Sequence, residues 1–392
     1  MVDERFDYAF AGSGLAALSL ARALVESELP PGRIALIDRR DAPVDRTIGA
    51  WLDERSDERP DERPAWLEGV VEREWSKLAV ATRAGERELE APLRYVALHG
   101  ARFHEQVGAR LDASAWTIVK VQGEVEGVAS IGDRVELRLR GRAPVQARWA
   151  FDSRVVFQRP PSWQSFVAAR VELAHDHFDP ARMLFMDLRL GQPGGGLEFG
   201  HVLPFGPREA MIYRVHVGAR AREVEGLDDY LRALAIGEPR LLACERGCLP
   251  LDARPPTRRP SRRVLRIGVA GGRLQAGTGY AFTRMQRDAA AIVGSLVRRG
   301  HPFALPRERR VFRMLDGVLL SIVARRPELG LRMFEAMWRP GHDARLFRLL
   351  DTRASWLDLL GVMAAMPARL RLAGEGLRWL LGRPDRPALP PG

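Results

Sequence analysis

Small residues and one acid near the amino terminus have the types and spacing needed to hold a nucleotide. Gly12, Gly14 and Ala17 form a G-x-G-x-x-A pattern, and Asp38 follows further along the chain. The first glycine permits a tight turn, the second lets the backbone approach a pyrophosphate, and the small third residue allows close helix–strand packing. A helix N-terminus at such a turn offers free N–H groups to phosphates, and an acid placed like Asp38 accepts hydrogen bonds from ribose hydroxyls.

The elements that must position these residues form a predicted βαβ unit. Residues 6–11 are an apolar run typical of a buried strand, and apolar residues after Gly14 recur mostly at helical spacing to about Glu26. Residues 33–38 form a second apolar run that ends in the acid. The two strands, the helix and the terminal acid all occur where the glycine pattern requires them. Their agreement favours nucleotide binding over a glycine turn in an α/β domain without a nucleotide. For Asp38 alone, a surface acid after a strand is the alternative.

The remainder of the chain predicts an α/β fold with two further regions. Strand-like runs lie between residues 77 and 151, residues 166–217 are β-rich, and the chain is helical from about Arg309. The expected division is a discontinuous nucleotide-binding domain of residues 1–75, 95–160 and 260–300, a β-rich substrate domain of 76–94 and 161–259, a helical region of 301–382, and a disordered tail of 383–392. A charged repeat at 53–64 is assigned no function.

Composition argues against several classes of protein. The chain has 61 Lys and Arg against 50 Asp and Glu, a net charge of +11, and nearly all of its basic residues are Arg. No basic stripe interleaved with aromatic residues is present, so we expect no nucleic-acid partner. Cys244 and Cys248 have neither a CxxC pattern nor a nearby His pair, so we expect reduced thiols and no metal site.

The charge pattern suits a membrane surface. Residues 301–392 hold 16 Arg against nine Asp and Glu, interleaved with Leu, Met, Val and Trp. This region can be a helical subdomain packed on the core, an amphipathic basic surface resting on the bilayer, or both. Residues 1–7 predict no signal peptide, and no run of about 18 uncharged apolar residues predicts a spanning helix. We expect a cytoplasmic protein attached peripherally to the inner face of the plasma membrane.

The first glycine turn does not distinguish an FAD-binding protein from an NAD-binding one. A late strand of the sequence favours FAD. Residues 264–270 form an apolar run closed by Gly271 and Gly272, and a helix is expected to begin near Gly279. This pattern resembles the strand of FAD-dependent hydroxylase-type folds that returns to the sheet and presents a helix end to the flavin. The resemblance implies a Rossmann-like FAD-binding domain of that type.

Further segments carry a resemblance to one family of flavoproteins. They are DSR at 152–154, FDP at 178–180, MDLR at 186–189, HVLPF at 201–205, ERGCLPL at 245–251, IGVAGG at 267–272, TGYAF at 278–282 and FRLLD at 347–351. In order and spacing they are similar to the motifs of the bacterial lycopene β-cyclases. The resemblance extends over about residues 6–382.

The resemblance implies a reaction, a cofactor and a substrate. Lycopene cyclases protonate the terminal alkene of an acyclic carotenoid end, let the neighbouring alkene attack the tertiary cation, and release a proton to leave a β-ionone ring. The family requires reduced FAD, for which NAD(P)H is the candidate reductant, and the substrate is a C40 polyene from the membrane. By the same resemblance, Gly271, Gly272, Thr278 and Gly279 are expected to contact FAD.

This sequence differs from the family at the position of a residue that takes part in the family's reaction. Residues 210–215 read AMIYRV where the family reads like ALVEYT, so Tyr213 replaces the Glu regarded as the proton donor. A phenol with an unperturbed pKa near 10 is a poor acid toward an alkene. Three accounts remain open: another carboxyl donates, the substrate is a different polyene, or the chain has kept the fold and lost the activity. Arg214 and His216 alternate with Tyr213, so we expect them on the opposite face.

The resemblance offers three carboxyls, Asp187, Glu172 and Glu245, of which Asp187 is the expected proton donor and Glu172 is expected to form a structural ion pair. Asp187 is the acid of the MDLR segment, and its alternative role is to pair with Arg189 and fix a strand end. Glu245 stands at an acidic position of the family, and a structural ion pair is its alternative. Two other functional classes also remain open, namely an FAD-dependent monooxygenase acting on a hydrophobic substrate and a non-catalytic polyene- or flavin-binding protein.

Overall fold

The computed structural model describes residues 5–40, 45–53, 65–91, 93–155, 160, 162–192, 194–254, 257–350 and 354–366. Residues 54–64 of the charged repeat and the expected tail lie outside the described residues. The strands are β1 (Arg5–Ala11), β2 (Arg33–Asp38), β3 (Thr47–Asp53), β4 (Val71–Trp75), β5 (Lys77–Thr82), β6 (Gly85–Leu89), β7 (Leu93–His99), β8 (Thr117–Gln122), β9 (Val125–Ile131), β10 (Arg134–Leu139), β11 (Val145–Asp152), β12 (Ser162–Glu172), β13 (Arg182–Asp187), β14 (Gly196–Pro204), β15 (Glu209–Gly218), β16 (Arg240–Leu251) and β17 (Val264–Arg266).

The helices complete the element list. They are α1 (Leu15–Val25), α2 (Gly100–Asp112), α3 (Leu227–Ala233), α4 (Phe282–Arg299), α5 (Arg310–Arg325), α6 (Pro327–Met337), α7 (Asp343–Leu350) and α8 (Trp356–Ala365), with a short 3-10 turn at Ala65–Leu67. None of the described helices combines the length and the apolar content that crossing a bilayer requires.

The first sheet carries the predicted βαβ unit. Its strand order is β8-β2-β1-β11-β10-β9, with β17 also paired to β11. Strands β8, β2, β1, β11 and β17 run parallel, whereas β9 and β10 are antiparallel additions at one edge. Helices α1, α2 and α4 pack together over this sheet, and Phe10, Leu20 and Phe151 are completely buried among its core residues.

The second sheet has the order β16-β12-β15-β14-β13-β5-β6, and a third, small sheet has the order β3-β7-β4. One side of the second sheet packs against α5 and α6, and we call it the front face, marked by Phe199 and Tyr213. The opposite side, the back face, is marked by Val202 and Ile212 and is covered by α3. Alternate residues of each strand therefore enter two different environments.

The late strand is shorter than the sequence predicts. Strand β17 ends at Arg266 instead of continuing to residue 270, because Gly268 adopts a φ of +60° and the chain turns. Helix α4 begins at Phe282, after a turn in which Gly279 has a φ of +78°. Helices α5 to α8 follow where the sequence predicts a helical region.

Candidate functional site

The predicted nucleotide turn forms at the carboxyl end of β1. Gly12 has a φ of +100°, and its N–H donates to the carbonyl of Ile37 at 2.7 Å, tying the turn to β2. A side chain on Gly12 would collide with the hydroxyl of Ser153, which is itself held by the Ala11 carbonyl at 2.8 Å. Gly12 is therefore required by conformation and by space.

Gly14 leaves an open cradle in front of α1. Among the described residues, no atom lies within 4 Å of the place that a Cβ on Gly14 would occupy. Gly14 is the N-cap of α1, and no side-chain hydrogen bond caps that helix in the described chain. Ala17, one turn later, is completely buried. The N–H groups at this helix end and the space over Gly14 together fit a pyrophosphate.

Asp38 ends β2 beside the same turn. The backbone N–H of Ser13 donates to Asp38 Oδ2 at 2.9 Å, and the N–H of Arg40 donates to Oδ1 at 3.0 Å. Burial alone would raise the pKa of this carboxyl, but the hydrogen bonds from Ser13 and Arg40 outweigh burial and lower it. An ionised, oriented carboxylate at this place suits the hydroxyls of a ribose.

The Gly271–Gly272 pair forms a second tight turn after β17. The N–H of Gly271 donates to the Ile267 carbonyl and that of Gly272 to the Val269 carbonyl, each at 3.0 Å. A side chain on Gly271 would collide with the backbone of Arg266. From this turn the chain continues into residues 275–280, most of which line the cavity described below.

That cavity has a volume of about 570 Å³ and lies between the front face of the second sheet and helices α5 to α8. Such a volume is in the range of ligand pockets, and well-packed protein interiors contain few voids larger than a water molecule. Its walls are mostly Leu, Val, Met and aromatic side chains, including Phe185, Phe199 and Trp338. Thr278 and Gly279 lie at its border, so residues expected to contact FAD also face the cavity.

Three phenols gather at one part of the cavity wall. Tyr95, Tyr213 and Tyr280 all line it, and burial raises the pKa of each, that of Tyr95 to about 12. Tyr213 bonds to Thr47, whose N–H and hydroxyl donate to Glu245 Oε1 at 2.9 and 3.0 Å. Glu245 thus lies behind Thr47, and the phenol of Tyr213 is a weaker acid here than in water.

His201 is a neutral base within this apolar setting. It pairs with Tyr213 across β14 and β15, with ring centroids 6.3 Å apart. Burial lowers the pKa of His201 to about 4, against the effect of its hydrogen bond to the Phe185 carbonyl. Because a carbonyl only accepts, Nδ1 carries the proton and the neutral ring leaves Nε2 unprotonated.

Asp187 lies away from the cavity. It is almost completely buried, and its carboxylate accepts from Arg189 Nε at 2.9 Å and Nη2 at 2.8 Å and from the Tyr230 hydroxyl at 3.2 Å. It pairs with Gly200 and Ala81, which belong to the back face. This geometry favours the ion-pair interpretation of Asp187 over the role of proton donor.

Asp316 was missed by the sequence reasoning. It lies on α5, lines the cavity, and accepts hydrogen bonds from the backbone N–H groups of Ala276 and Gly277. A Cβ on Gly277 would lie 2.5 Å from Asp316 Oδ1, so the glycine allows this close approach. The available signal was an acid within the otherwise apolar stretch MLDGVLL of a predicted helix.

Solved structures with the same architecture include proteins described as flavin-dependent. A geranylgeranyl bacteriochlorophyll reductase-like protein from Thermoplasma acidophilum superimposes with a TM-score of 0.61 at 13% identity, covering 95% of this chain and 99% of that one. A flavoprotein/dehydrogenase from Cytophaga hutchinsonii gives 0.61 at 11% identity with the same coverage. A flavin-dependent brominase gives 0.59 at 12% identity, covering 94% and 98%. These likenesses confirm the predicted fold class, a Rossmann-like domain of the FAD-dependent hydroxylase type joined to a β-sheet region.

No curated protein matches the chain significantly in sequence. The family described as "Lycopene cyclase protein" does match it, over residues 7–372. This range includes the nucleotide turn, both large sheets and the helices that close the cavity. The chain therefore belongs to the lycopene cyclase family, as its sequence motifs indicate.

Proposed function

We propose that this protein closes the acyclic ends of lycopene or a related carotenoid into β-ionone rings, with no net redox change. The observation that carries the proposal is the apolar cavity, which is walled partly by aromatic side chains and adjoins the loop that follows the second glycine turn. Family membership supplies the reaction class.

The cavity suits a reaction that passes through carbocations. Phe185, Phe199 and Trp338 present aromatic rings to its interior, and a ring face stabilises a nearby cation by about 0.5–2 kcal/mol. The neutral imidazole of His201 adds a polar group without adding a repelling positive charge. Apolar walls also exclude water, which would otherwise trap the cation as an alcohol.

FAD is the cofactor that the nucleotide turn would hold. The open space over Gly14, the uncapped end of α1 and the Asp38 carboxylate fit its pyrophosphate and ribose. Residues 275–280 follow the Gly271–Gly272 turn in the chain, and Thr278 and Gly279 among them line the cavity. When bound in its reduced form, the electron-rich flavin would stabilise positive charge that develops during ring closure. NAD(P)H remains the proposed reductant.

The membrane surface is the proposed source of the substrate. Helix α8 exposes Trp356, Leu357 and Leu360, whose exposed fractions are 65%, 79% and 65%, while Leu359 and Val362 line the cavity. An apolar helix face in a basic region suits the interface of an anionic bilayer. Since one helix would contact lipid and also wall the cavity, a C40 polyene could enter beside it.

Vesicle binding tests the membrane proposal. The protein should sediment with anionic vesicles at low salt and be partly released at high salt, because salt screens surface charge. Burying a Leu is worth about 1.5–3 kcal/mol, so Leu357→Ser with Leu360→Ser should weaken vesicle affinity roughly tenfold or more. Leu241→Ser, at an exposed apolar residue of β16, is the matched control and should leave binding unchanged. A parent protein that stays in solution at low salt contradicts the proposal.

Pigment analysis tests the reaction itself. Co-expression in a lycopene-accumulating bacterium should yield β-ring carotenoids, and purified protein should retain FAD. Gly14→Val places a side chain in the cradle and should abolish both flavin retention and ring formation. Stoichiometric NAD(P)H and oxygen consumption with an oxidised product would instead identify a monooxygenase. Unchanged flavin absorbance in Gly14→Val would refute the assigned cofactor site.

A further inference from the structure

Asp316 brings a carboxyl into a cavity whose other described polar lining groups are neutral. Of the residues that line the cavity, it is the one with a carboxylate side chain. The N–H groups of Ala276 and Gly277 fix its orientation, and Gly277 has no side chain to keep the loop away. The same loop continues to Thr278 and Gly279, so the acid stands next to the loop that leads to the proposed flavin site.

We propose that Asp316 is the carboxylic acid that protonates the polyene end, an inference that rests on the proposed cyclisation. The O–H bond of the carboxyl breaks as a C–H bond forms at the less substituted carbon of the terminal alkene, leaving a tertiary cation. The neighbouring alkene then forms the ring C–C bond. The ring carbon finally releases a proton, which returns to the Asp316 carboxylate. Atoms and electrons balance, so no oxidant or reductant is consumed.

The surroundings keep this acid protonated near neutrality. Burial raises the pKa of Asp316 to about 7, with the charge of Glu308 acting in the same direction. Arg284 on α4 and the N–H groups of Gly277 and Ala276 oppose that rise without cancelling it. Brønsted behaviour favours a donor whose pKa lies close to the working pH, because it is then both available and acidic.

The two carboxyls considered from sequence are placed less well. Asp187 lies on the back face in its pair with Arg189. Burial also raises the pKa of Glu245, but that carboxyl accepts two hydrogen bonds from Thr47 and lies behind it. Asp316 combines cavity exposure with a raised pKa, which neither of the other two does.

The test compares isosteric variants of the full-length flavoprotein in lycopene-accumulating cells. General acid catalysis is worth typically ~10²–10⁴-fold, so Asp316→Asn should lose ring formation to at least that extent. Its flavin content should stay unchanged, because the amide oxygen still accepts from Ala276 and Gly277. Asp316→Glu should recover part of the activity. Asp252→Asn is the matched control, since burial also raises the pKa of Asp252 but that residue lies outside the cavity lining.

Infrared spectroscopy gives a readout that a merely structural role would not produce. The parent should show the C=O band of a buried carboxylic acid that titrates near pH 7, and only Asp316→Asn should remove it. An active parent with an active Asp316→Asn overturns the inference and leaves the proposed function standing. Loss of flavin in both Asp316→Asn and Asp316→Glu would show a supporting role and also overturn it. A parent that cyclises no polyene overturns the proposed function, and this inference with it.

Discussion

The two faces of the second sheet hold polar groups in opposite ways. On the back face, Glu198 is completely buried and accepts from Arg214 Nε at 2.9 Å and Nη2 at 2.7 Å. On the front face, His201 and Tyr213 carry no charge and line an open cavity. An ion-paired charge is already stabilised by its partner, whereas neutral polar groups that border a cavity can still contact a ligand.

Strand alternation produces this separation. Phe199, His201, Tyr213 and Val215 line the cavity, while the intervening residues point away from it. Arg214 is one of these residues, and it lies on the opposite face of the sheet from Tyr213, as the sequence pattern predicts. Burial alone would raise the pKa of Glu198, but the neighbouring His216, Arg214 and Arg222 lower it. The back face therefore contains, beside its apolar cluster, an ionic cluster around Glu198 that supports the sheet from which the cavity is built.

A bulge in β13 assigns Asp187 to the back face. Simple alternation would place Asp187 on the same side as Phe185, which lines the cavity. The pairing with β14 shifts between Leu184 and Asp187, and the pairing with β5 shifts between Leu184 and Met186. The extra residue reverses the faces, so Asp187 joins Leu184 on the back. A resemblance between sequence motifs identifies the MDLR segment. It does not show to which face of the sheet the bulge turns Asp187.

Replacement of Asp187 should separate stability from catalysis. Asp187→Asn weakens the bonds to Arg189 and Tyr230, and hydrogen bonds to charged groups contribute about 1.5–3 kcal/mol. We expect the free energy of unfolding in urea to fall by about that amount, while ring formation per folded molecule stays near the parent value. The cost stays in that range because Arg189 is 44% exposed and water can solvate its released charge.

Tyr230→Phe is the matched variant for this prediction. It removes only the phenol bond to Asp187, so it should cost about 1 kcal/mol of stability and no activity. An Asp187→Asn protein that unfolds like the parent but no longer cyclises would contradict the division between the two faces. It would also return Asp187 to the position of candidate donor.

The nucleotide turn was predictable because its parts are local. Gly12, Gly14, Ala17 and Asp38 lie within one βαβ unit, and each residue type follows from backbone geometry or phosphate contact. The cavity was not predictable in this way, since its wall is assembled from residues between Thr47 and Met366. Asp316 reaches the cavity wall only because α5 packs over the second sheet, and the sequence does not report that packing. The early end of β17 likewise depends on one glycine conformation that sequence hydrophobicity does not report.

The substitution Tyr213→Phe has the smallest expected effect on ring formation, and it tests the front face directly. Tyr213→Phe removes the bond to Thr47 but leaves the two bonds from Thr47 to Glu245 in place. A neutral hydrogen bond is worth about 0.5–1.5 kcal/mol, so ring formation should change by roughly tenfold at most. Pigment analysis beside Asp316→Asn measures both effects under the same conditions.

The complementary change, Tyr213→Glu, returns a carboxyl to the position of the family's acid. Burial and the nearby negative charge of Glu245, which already raise the pKa of Tyr213, would also favour the protonated form of that new carboxyl. We expect it to maintain or raise ring formation in the parent and to restore part of it in the Asp316→Asn background. If Tyr213→Phe is inactive while Asp316→Asn remains active, the phenol is essential and the proton must be delivered from the β15 side of the cavity. Partial rescue by Tyr213→Glu would show instead that the cavity needs one protonated carboxyl and accepts it from either wall.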